Sequence, residues 1–271
     1  MNKIKILILG ATGKMGQTLI KLISDNSSME LCGAHEVRDN PFLGEDAGFF
    51  MGVNTGVLIK NNMLDAMRVA DVLIDFTRPE GTLKSLSDAV NNKIPCVIGT
   101  TGFNDEEINT IKKASETIPI CLAPNMSVGI NVLIALIEQA ARQLSDYDFE
   151  VIESHHKHKV DAPSGTAIRL GQAVSDGLKI NLDEYAVYSR HGRDEKRKKN
   201  EIGFSTIRAG DIVGEHTVMI AGEGERIELT HKATSRSNFA FGALKAANFL
   251  VNQEPGLFDM QDVLKLKKIN K

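Results

Sequence analysis

Cysteine is scarce in this chain. The 271 residues hold only Cys32, Cys96 and Cys121, widely spaced and odd in number. That excludes a disulfide framework and a cysteine-built metal cluster, and it suits a reducing cytoplasm. Long apolar runs are also lacking. The opening stretch MNKIKILILGATGKMG has one short hydrophobic segment, and Gly10 interrupts it. It is too short to span a bilayer and carries no small-residue cleavage site, so neither a membrane span nor a targeting segment is expected. There is no excess of positive charge. Lys and Arg number 32 against 35 Asp and Glu, a formal net charge of −3, so no global field draws the chain to nucleic acid or a membrane surface. The one charge-rich run, SRHGRDEKRKKNE over 189–201, has no interleaved aromatic residues and reads as a solvated loop rather than a nucleic-acid groove. Internal repeats and low-complexity segments are absent. What is present, 42% hydrophobic and 25% charged residues, is enough for one large or two ordinary domains with real cores.

The first half of the chain alternates short apolar runs with amphipathic segments. Strands are predicted over 3–10, 29–36, 72–77, 95–102 and 119–125, with helical spacing over 14–25, 80–93 and 104–117. Near-continuous apolar strands alternating with helices imply a parallel sheet covered on both faces. The second half reads as α+β. A helix is predicted over 131–144, a strand over 148–156 and a helix over 163–179. A run of strands over 202–233 follows, with turns expected at Gly210, Gly214, Gly222 and Gly224, and a last helix over 238–253.

The segment GATGKMG sets Gly10, Gly13 and Gly16 between the first strand and the first helix. Small residues there let backbone N–H groups approach a pyrophosphate, and the helix N-terminus adds partial positive charge. The spacing is G-x-x-G-x-x-G, with Thr12 where the usual fingerprint has its middle glycine. A tight turn with no ligand remains the plain alternative. Context favours a dinucleotide: the loop follows a strand and opens a helix, and Glu36, at the end of the second strand, is placed to meet ribose hydroxyls. The segments DFTRPE, GTTGF and APNMS also close predicted strands and should converge on the same crevice.

ESHHKHKVDAPSGTA, residues 153–167, crowds three of the chain's seven histidines together with Lys157 and Lys159. Three readings are open. His156 and His158 on one face of a strand could ligate a metal, but no closed ligand set is visible. The histidines could be incidental to a polar strand end. Or the cluster binds an anion and donates protons, since imidazole titrates near neutrality and lysine can supply a proton. Ser164, Gly165 and Thr166 then open a helix whose amides and hydroxyls can cradle a carboxylate. Cluster, cradle and nucleotide loop together describe hydride transfer to a small acid.

With these residues the chain resembles the 4-hydroxy-tetrahydrodipicolinate reductase (dihydrodipicolinate reductase) family. The likeness covers nearly the whole chain, through GATGKMG, IDFTRPEGTL, VIGTTGF, APNMSVGINV, ESHHKHKVDAPSGTA, AVYSRHG, IGFSTIRAGDIVGEH, LTHKATSR and GLFDM in that order. The resemblance implies a Rossmann-type doubly wound parallel sheet and a second α+β domain for substrate binding and oligomerisation. The boundaries expected are 1–127 completed by 238–271 for the dinucleotide-binding domain and 128–237 for the other, with a hinge at the two crossings. It implies NADH- or NADPH-dependent reduction of 4-hydroxy-tetrahydrodipicolinate, a small dicarboxylate, to tetrahydrodipicolinate with loss of water, in lysine and diaminopimelate synthesis. A cytoplasmic homotetramer with no bound metal and no nucleic-acid or membrane partner is the corresponding assembly.

Carried over by position, the resemblance makes His155 a proton donor and acceptor and Lys159 a proton donor. His156, Gly165 and Thr166 are implied to bind substrate, with Ser164 in the same cradle. Gly10, Ala11, Thr12, Gly13, Lys14 and Met15, with Gly16 of the same loop, are implied to bind cofactor. So are Glu36, Gly99, Thr100, Thr101, Ala123, Pro124, Asn125 and Met126. One departure bears on the cofactor. Many members that accept NADPH place an arginine directly after the acidic residue, where this chain has Val37 and then Arg38. Strand alternation would turn Arg38 away, and Glu36 would repel a 2′-phosphate, so NADH is the expected cofactor and NADPH a possible one. Another nicotinamide-dependent reductase of an imine or oxo acid, or a non-catalytic dinucleotide sensor, are the alternatives.

Overall fold

Each buried strand of the N-terminal half sends successive side chains to opposite faces, and that alternation makes two apolar layers from one sheet. The computed structural model describes residues 2–192 and 196–267. In chain order the first elements are β1 (Ile4–Leu9), α1 (Lys14–Ser24), β2 (Met29–His35), β3 (Ile59–Lys60), α2 (Leu64–Met67), β4 (Val72–Asp75), α3 (Pro79–Asn92), β5 (Cys96–Ile98), α4 (Asp105–Ser115) and β6 (Pro119–Leu122). Ile6 and Ile8 of β1 join Val72, Ile74 and Val97 in one core cluster, while Leu7 and Leu9 join Leu73, Cys96 and Ile98 in another. Proline at the start of α3 and a full capping box at α4, in which Asn104 and Glu107 exchange side chain–backbone bonds, mark where these helices begin.

The chain then builds a second unit, Gly129–Arg236. Its elements are α5 (Val128–Gln143), which starts at the boundary, β7 (Asp148–His155), α6 (Gly165–Leu178), α7 (Leu182–Tyr185), β8 (Ala186–Val187), β9 (Ile202–Arg208), β10 (Gly214–Gly222) and β11 (Glu225–Ala233). From Ser237 the chain rejoins the first unit with α8 (Ser237–Leu250), β12 (Gly256–Phe258) and α9 (Met260–Val263).

The first sheet has seven strands in the order β12-β6-β5-β4-β1-β2-β3, and every pairing is parallel. Strand order reverses between β1 and β4, and in a doubly wound sheet ligands bind outside the carboxyl ends of the strands at such a point. The second sheet is mixed, in the order β11-β10-β7-β9-β8. β10 runs antiparallel to β7 and β11, whereas β9 runs parallel to β7 and β8. One face of this sheet carries Phe149, Val151, Ile202, Val218 and Ile220 against Ile134 and Ile137 of α5 and Leu170 and Val174 of α6. The architecture is thus the α/β one expected, a doubly wound parallel sheet with an α+β companion.

Several details differ from the sequence reading, each for a local reason. The fourth strand stops at Asp75, because its carboxylate accepts bonds from the Thr77 N–H and hydroxyl and turns the chain. Gly214 and Gly222 end β10 rather than making turns, and the left-handed turns fall at Gly210 and Gly224. The short strands β3 and β12 carry no periodic pattern of their own and are recruited by pairing to β2 and β6. In the charge-rich run, residues 193–195 lie outside the described residues. Its Arg190 lies 2.9 Å from Glu150 and Arg197 donates to the Phe149 carbonyl at 3.0 Å, so that run is tied to the edge of β7 as well as solvated.

Phe149 is the largest side chain that this second core shuts away from water. Phe149→Ala is expected to lower the unfolding free energy by about 3–5 kcal/mol, read from urea denaturation. A loss below about 1 kcal/mol would show that the cavity collapses.

Candidate functional site

In the first unit, β1 ends at the glycine loop. Gly10 has φ +68°, a left-handed conformation that glycine adopts without strain. Gly10 and Ala11 donate to the His35 carbonyl at 3.0 and 3.1 Å, which ties the loop to the end of β2. A Cβ on Gly16 would lie 2.2 Å from the Gly10 carbonyl oxygen, so only glycine lets the first turn of α1 close on the loop. Gly13 caps α1 without any side-chain bond, and no acid occupies the first turn. The first amides of α1 have no partner within the helix, Lys14 beside them is exposed, and such a helix start suits an anion.

Glu36 is buried, and one carboxylate oxygen accepts from the Thr12 N–H at 2.9 Å and the Thr12 hydroxyl at 2.7 Å. The acid therefore clamps the loop as well as standing at the strand end. A cavity of about 650 Å³ opens at the carboxyl ends of β1, β2 and β4, and Gly10, Glu36, Val37, Arg38, Thr77 and Lys84 line it. β2 stops at His35, so strand alternation does not govern the next residues, and Val37 and Arg38 line the same cavity. That removes the alternation argument for turning Arg38 away.

The other predicted segments fall at neighbouring strand ends. Gly99, Thr100 and Thr101 follow β5, and the Phe76 ring fills the space a Gly99 side chain would need. Buried Thr100 accepts from Thr82 at 3.0 Å and reaches Asp75 at 3.4 Å. Ala123, Pro124, Asn125 and Met126 follow β6. Ala123 and Met126 are buried, whereas Pro124 is exposed. Burial pushes the Cys32 and Cys121 thiols up to about 12, and Cys96 upward too, the opposite of the lowered thiol of an activated nucleophile.

In the second unit, the inward face of β7 reads Phe149, Val151, Glu153, His155, and that of β10 reads Ile220, Val218, His216, Gly214. The pairing sets His216 opposite Glu153, and on the other side His155 opposite Arg208 of β9. So the core face turns from apolar to polar at one end of the sheet. The Glu153 carboxylate is 1% exposed. Arg208 donates to both of its oxygens at 2.8 Å, the Ser164 N–H donates at 3.0 Å, and His155 Nδ1 lies 2.5 Å away. Burial works to raise this carboxyl, but the guanidinium, the imidazole and the Ser164 amide outweigh it and hold it down at about 2. Burial and the neighbouring His155 push His216 down to about 4.

Ser164 is buried as the N-cap of α6. Its hydroxyl accepts from the Ala167 N–H at 3.2 Å and meets His216 Nε2 at 3.1 Å. Gly165, which is exposed, and Thr166 begin the first turn of that helix. Lys159 Nζ sits 2.8 Å from Asp161. β7 ends at His155, so His156 and His158 lie in a turn and not on a shared strand face, which removes the geometry offered for a metal. Their rings are 6.3 Å apart. Among the described residues no group of three or more His, Cys, Asp or Glu could hold a metal ion.

Glu153, Arg208 and His216 are absent from the residues read off the sequence. The legible signal was Glu153 itself, an acid on the buried phase of an apolar strand two residues before His155.

This pairing of a dinucleotide-type glycine loop with a histidine, lysine and arginine cluster in a second unit defines a class of two-domain nucleotide-dependent enzyme. The family description "Dihydrodipicolinate reductase, N-terminus" matches residues 4–126, and "Dihydrodipicolinate reductase, C-terminus" matches residues 129–264. The chain belongs to the dihydrodipicolinate reductase family. It is 52% identical over 265 residues to the 4-hydroxy-tetrahydrodipicolinate reductase of Polynucleobacter necessarius, covering 97% of this chain and 100% of that one. The Nitrosomonas eutropha enzyme of the same name is 51% identical, covering 98% of this chain and 100% of that one. A solved dipicolinate-bound dihydrodipicolinate reductase from Paenisporosarcina superposes with a TM-score of 0.78 at 25% identity, over 96% of this chain and 98% of that one. An amine dehydrogenase from Mycobacterium smegmatis shares the fold alone, with a TM-score of 0.58 at 10% identity, over 94% of each chain.

Gly16→Ala is expected to force the loop open and weaken NADH binding by about tenfold or more in a fluorescence titration. Unchanged affinity would show that the loop does not carry the nucleotide.

Proposed function

We propose that this chain catalyses the NAD(P)H-dependent reduction of 4-hydroxy-tetrahydrodipicolinate to tetrahydrodipicolinate, with loss of water, in lysine synthesis through diaminopimelate. The observation that carries this reading is the joint presence of the glycine loop with Glu36 and the cluster of His155, Lys159 and the α6 first turn. Relatives about half identical over their full length bear the corresponding name. The first unit is the dinucleotide-binding domain and the second the substrate-binding and oligomerisation domain.

The bound cofactor supplies the hydride. The first amides of α1, at Lys14, Met15 and Gly16, would receive its pyrophosphate, with Gly10, Ala11, Thr12 and Gly13 shaping the loop around it through bonds of their own, and Glu36 would receive ribose hydroxyls. Gly99 to Thr101 and Ala123 to Met126 flank the nicotinamide half. On the substrate side, the first turn of α6 at Gly165 and Thr166 takes a carboxylate, with His156 beside it and Ser164 fixing the helix end. The 4-hydroxyl leaves as water with a neighbouring ring hydrogen, the hydride adds, and the ring takes up one proton, which Lys159 supplies, while His155 donates to and accepts from the ring nitrogen as negative charge develops there and is relieved. Fixed donors aimed at developing charge act without reorganising.

Glu36 favours unphosphorylated ribose, so NADH is the preferred cofactor. Arg38 and Lys84 line the same cavity and keep NADPH in use by meeting a 2′-phosphate. The assembly is a cytoplasmic homotetramer. Edge strand β11, with Ile227 exposed, supports association through the second sheet. Among the described residues no helix is long and apolar enough to cross a membrane.

The direct test is steady-state oxidation of NADH and then NADPH, with substrate generated in situ from pyruvate and aspartate semialdehyde. Substrate-dependent oxidation is expected. None from folded protein that still binds NADH would contradict the reading. Lys159→Ala should lower kcat by about 10²–10⁴-fold and leave NADH affinity intact, and near-normal turnover would remove Lys159 from the chemistry. Replacing Arg38 and Lys84 together by alanine should raise KM for NADPH about tenfold or more while KM for NADH stays level. An unchanged ratio would place the 2′-phosphate elsewhere.

A further inference from the structure

Glu153 is a carboxylate on the apolar face of a sheet, where an ion without partners is costly. Arg208 stays protonated at all working pH values, and its two donors cover both carboxylate oxygens at 2.8 Å. The Ser164 N–H adds a third donor at 3.0 Å. A carboxylate so surrounded is ionised and can only accept. The 2.5 Å contact to His155 Nδ1 therefore has its proton on the ring. The opposite ring atom, Nε2, faces Gly214, and a Cβ there would lie 3.1 Å from it. The absent side chain leaves Nε2 clear. His216 stands edge-on to His155 with ring centroids 5.1 Å apart, and its own Nε2 is engaged by Ser164.

We propose that Glu153, clamped by Arg208, is a positioning residue that fixes His155 in its Nδ1–H tautomer, so that Nε2 alone exchanges a proton with the substrate. The proposal rests on the reading above that His155 is a proton-transfer group. A second-sphere carboxylate that sets a tautomer acts on turnover more than on binding, because the wrong tautomer presents a donor where an acceptor is needed, or the reverse. It also explains why two strands and the start of α6 aim donors at one acid that never reaches bulk water.

Histidine-selective ¹⁵N labelling of the full chain leaves seven imidazoles to resolve, with His155→Gln used for assignment. Wild-type protein is expected to show His155 as the Nδ1–H tautomer. Glu153→Gln should lose that signature and lower kcat at least about tenfold, with KM for NADH within about twofold of wild type. His155 found as the Nε2–H tautomer, or wild-type kcat in Glu153→Gln, overturns the proposal. If Glu153→Gln does not fold, the wild-type spectrum decides alone. Near-normal turnover in His155→Gln instead removes the reading beneath it, an outcome distinct from a wrong tautomer in an enzyme that needs His155.

Discussion

An ionised carboxylate shut away from water must find fixed donors or take up a proton. Glu153 finds them on three elements: Arg208 at the end of β9, the Ser164 amide at the start of α6, and His155 two residues along its own strand. That requirement sets much of the second unit. It fixes the end of β9 against β7, since His155 and Arg208 are register partners. It places the N-terminus of α6 beside the strand end and so brings the helix start at Ser164 next to Glu153 and His216. A hydrophobic residue of similar size at this position would leave Arg208 and the Ser164 amide without their acceptor and the imidazole unoriented.

The first unit meets a different constraint with backbone. There the demand is close approach: a loop must turn sharply from β1 into α1 with its own amides bonded inward. Gly10 supplies the left-handed conformation and Gly16 the missing volume. Glu36 reaches back to Thr12 and holds the loop in shape. The strand-order reversal between β1 and β4 puts this loop beside the cavity that Arg38 and Lys84 also line. One unit sets a glycine loop at the start of a helix, the other gathers an arginine and two histidines around a buried acid and the helix cap beside it.

Much of this was legible in the sequence, because it rests on local periodicity and on motifs with fixed spacing. The near-continuous apolar run of β1 and the helical spacing of α1 and α8 come from the burial they serve. GATGKMG and PSGTA announce themselves through small residues at a strand-to-helix turn. The sequence did not reveal partnerships made across long separations. Arg208 lies 55 positions from Glu153, and nothing near either residue names the other. Boundaries were overrun where a side chain ends a strand, as Asp75 does through Thr77. Strand alternation misled at Arg38, because β2 had already ended. Ser164 was read as facing a ligand, while the fold uses its hydroxyl for the helix cap and His216.

The family, the fold and the two clusters converge on transfer of a hydride to a small dicarboxylate with protonation by side chains of the second unit. The measurement that tests this most directly is the mass of the product formed with NADH deuterated at the transferring position of the nicotinamide. The account predicts one deuterium from the cofactor in each molecule of tetrahydrodipicolinate. A product free of label, formed at the same rate, would contradict it.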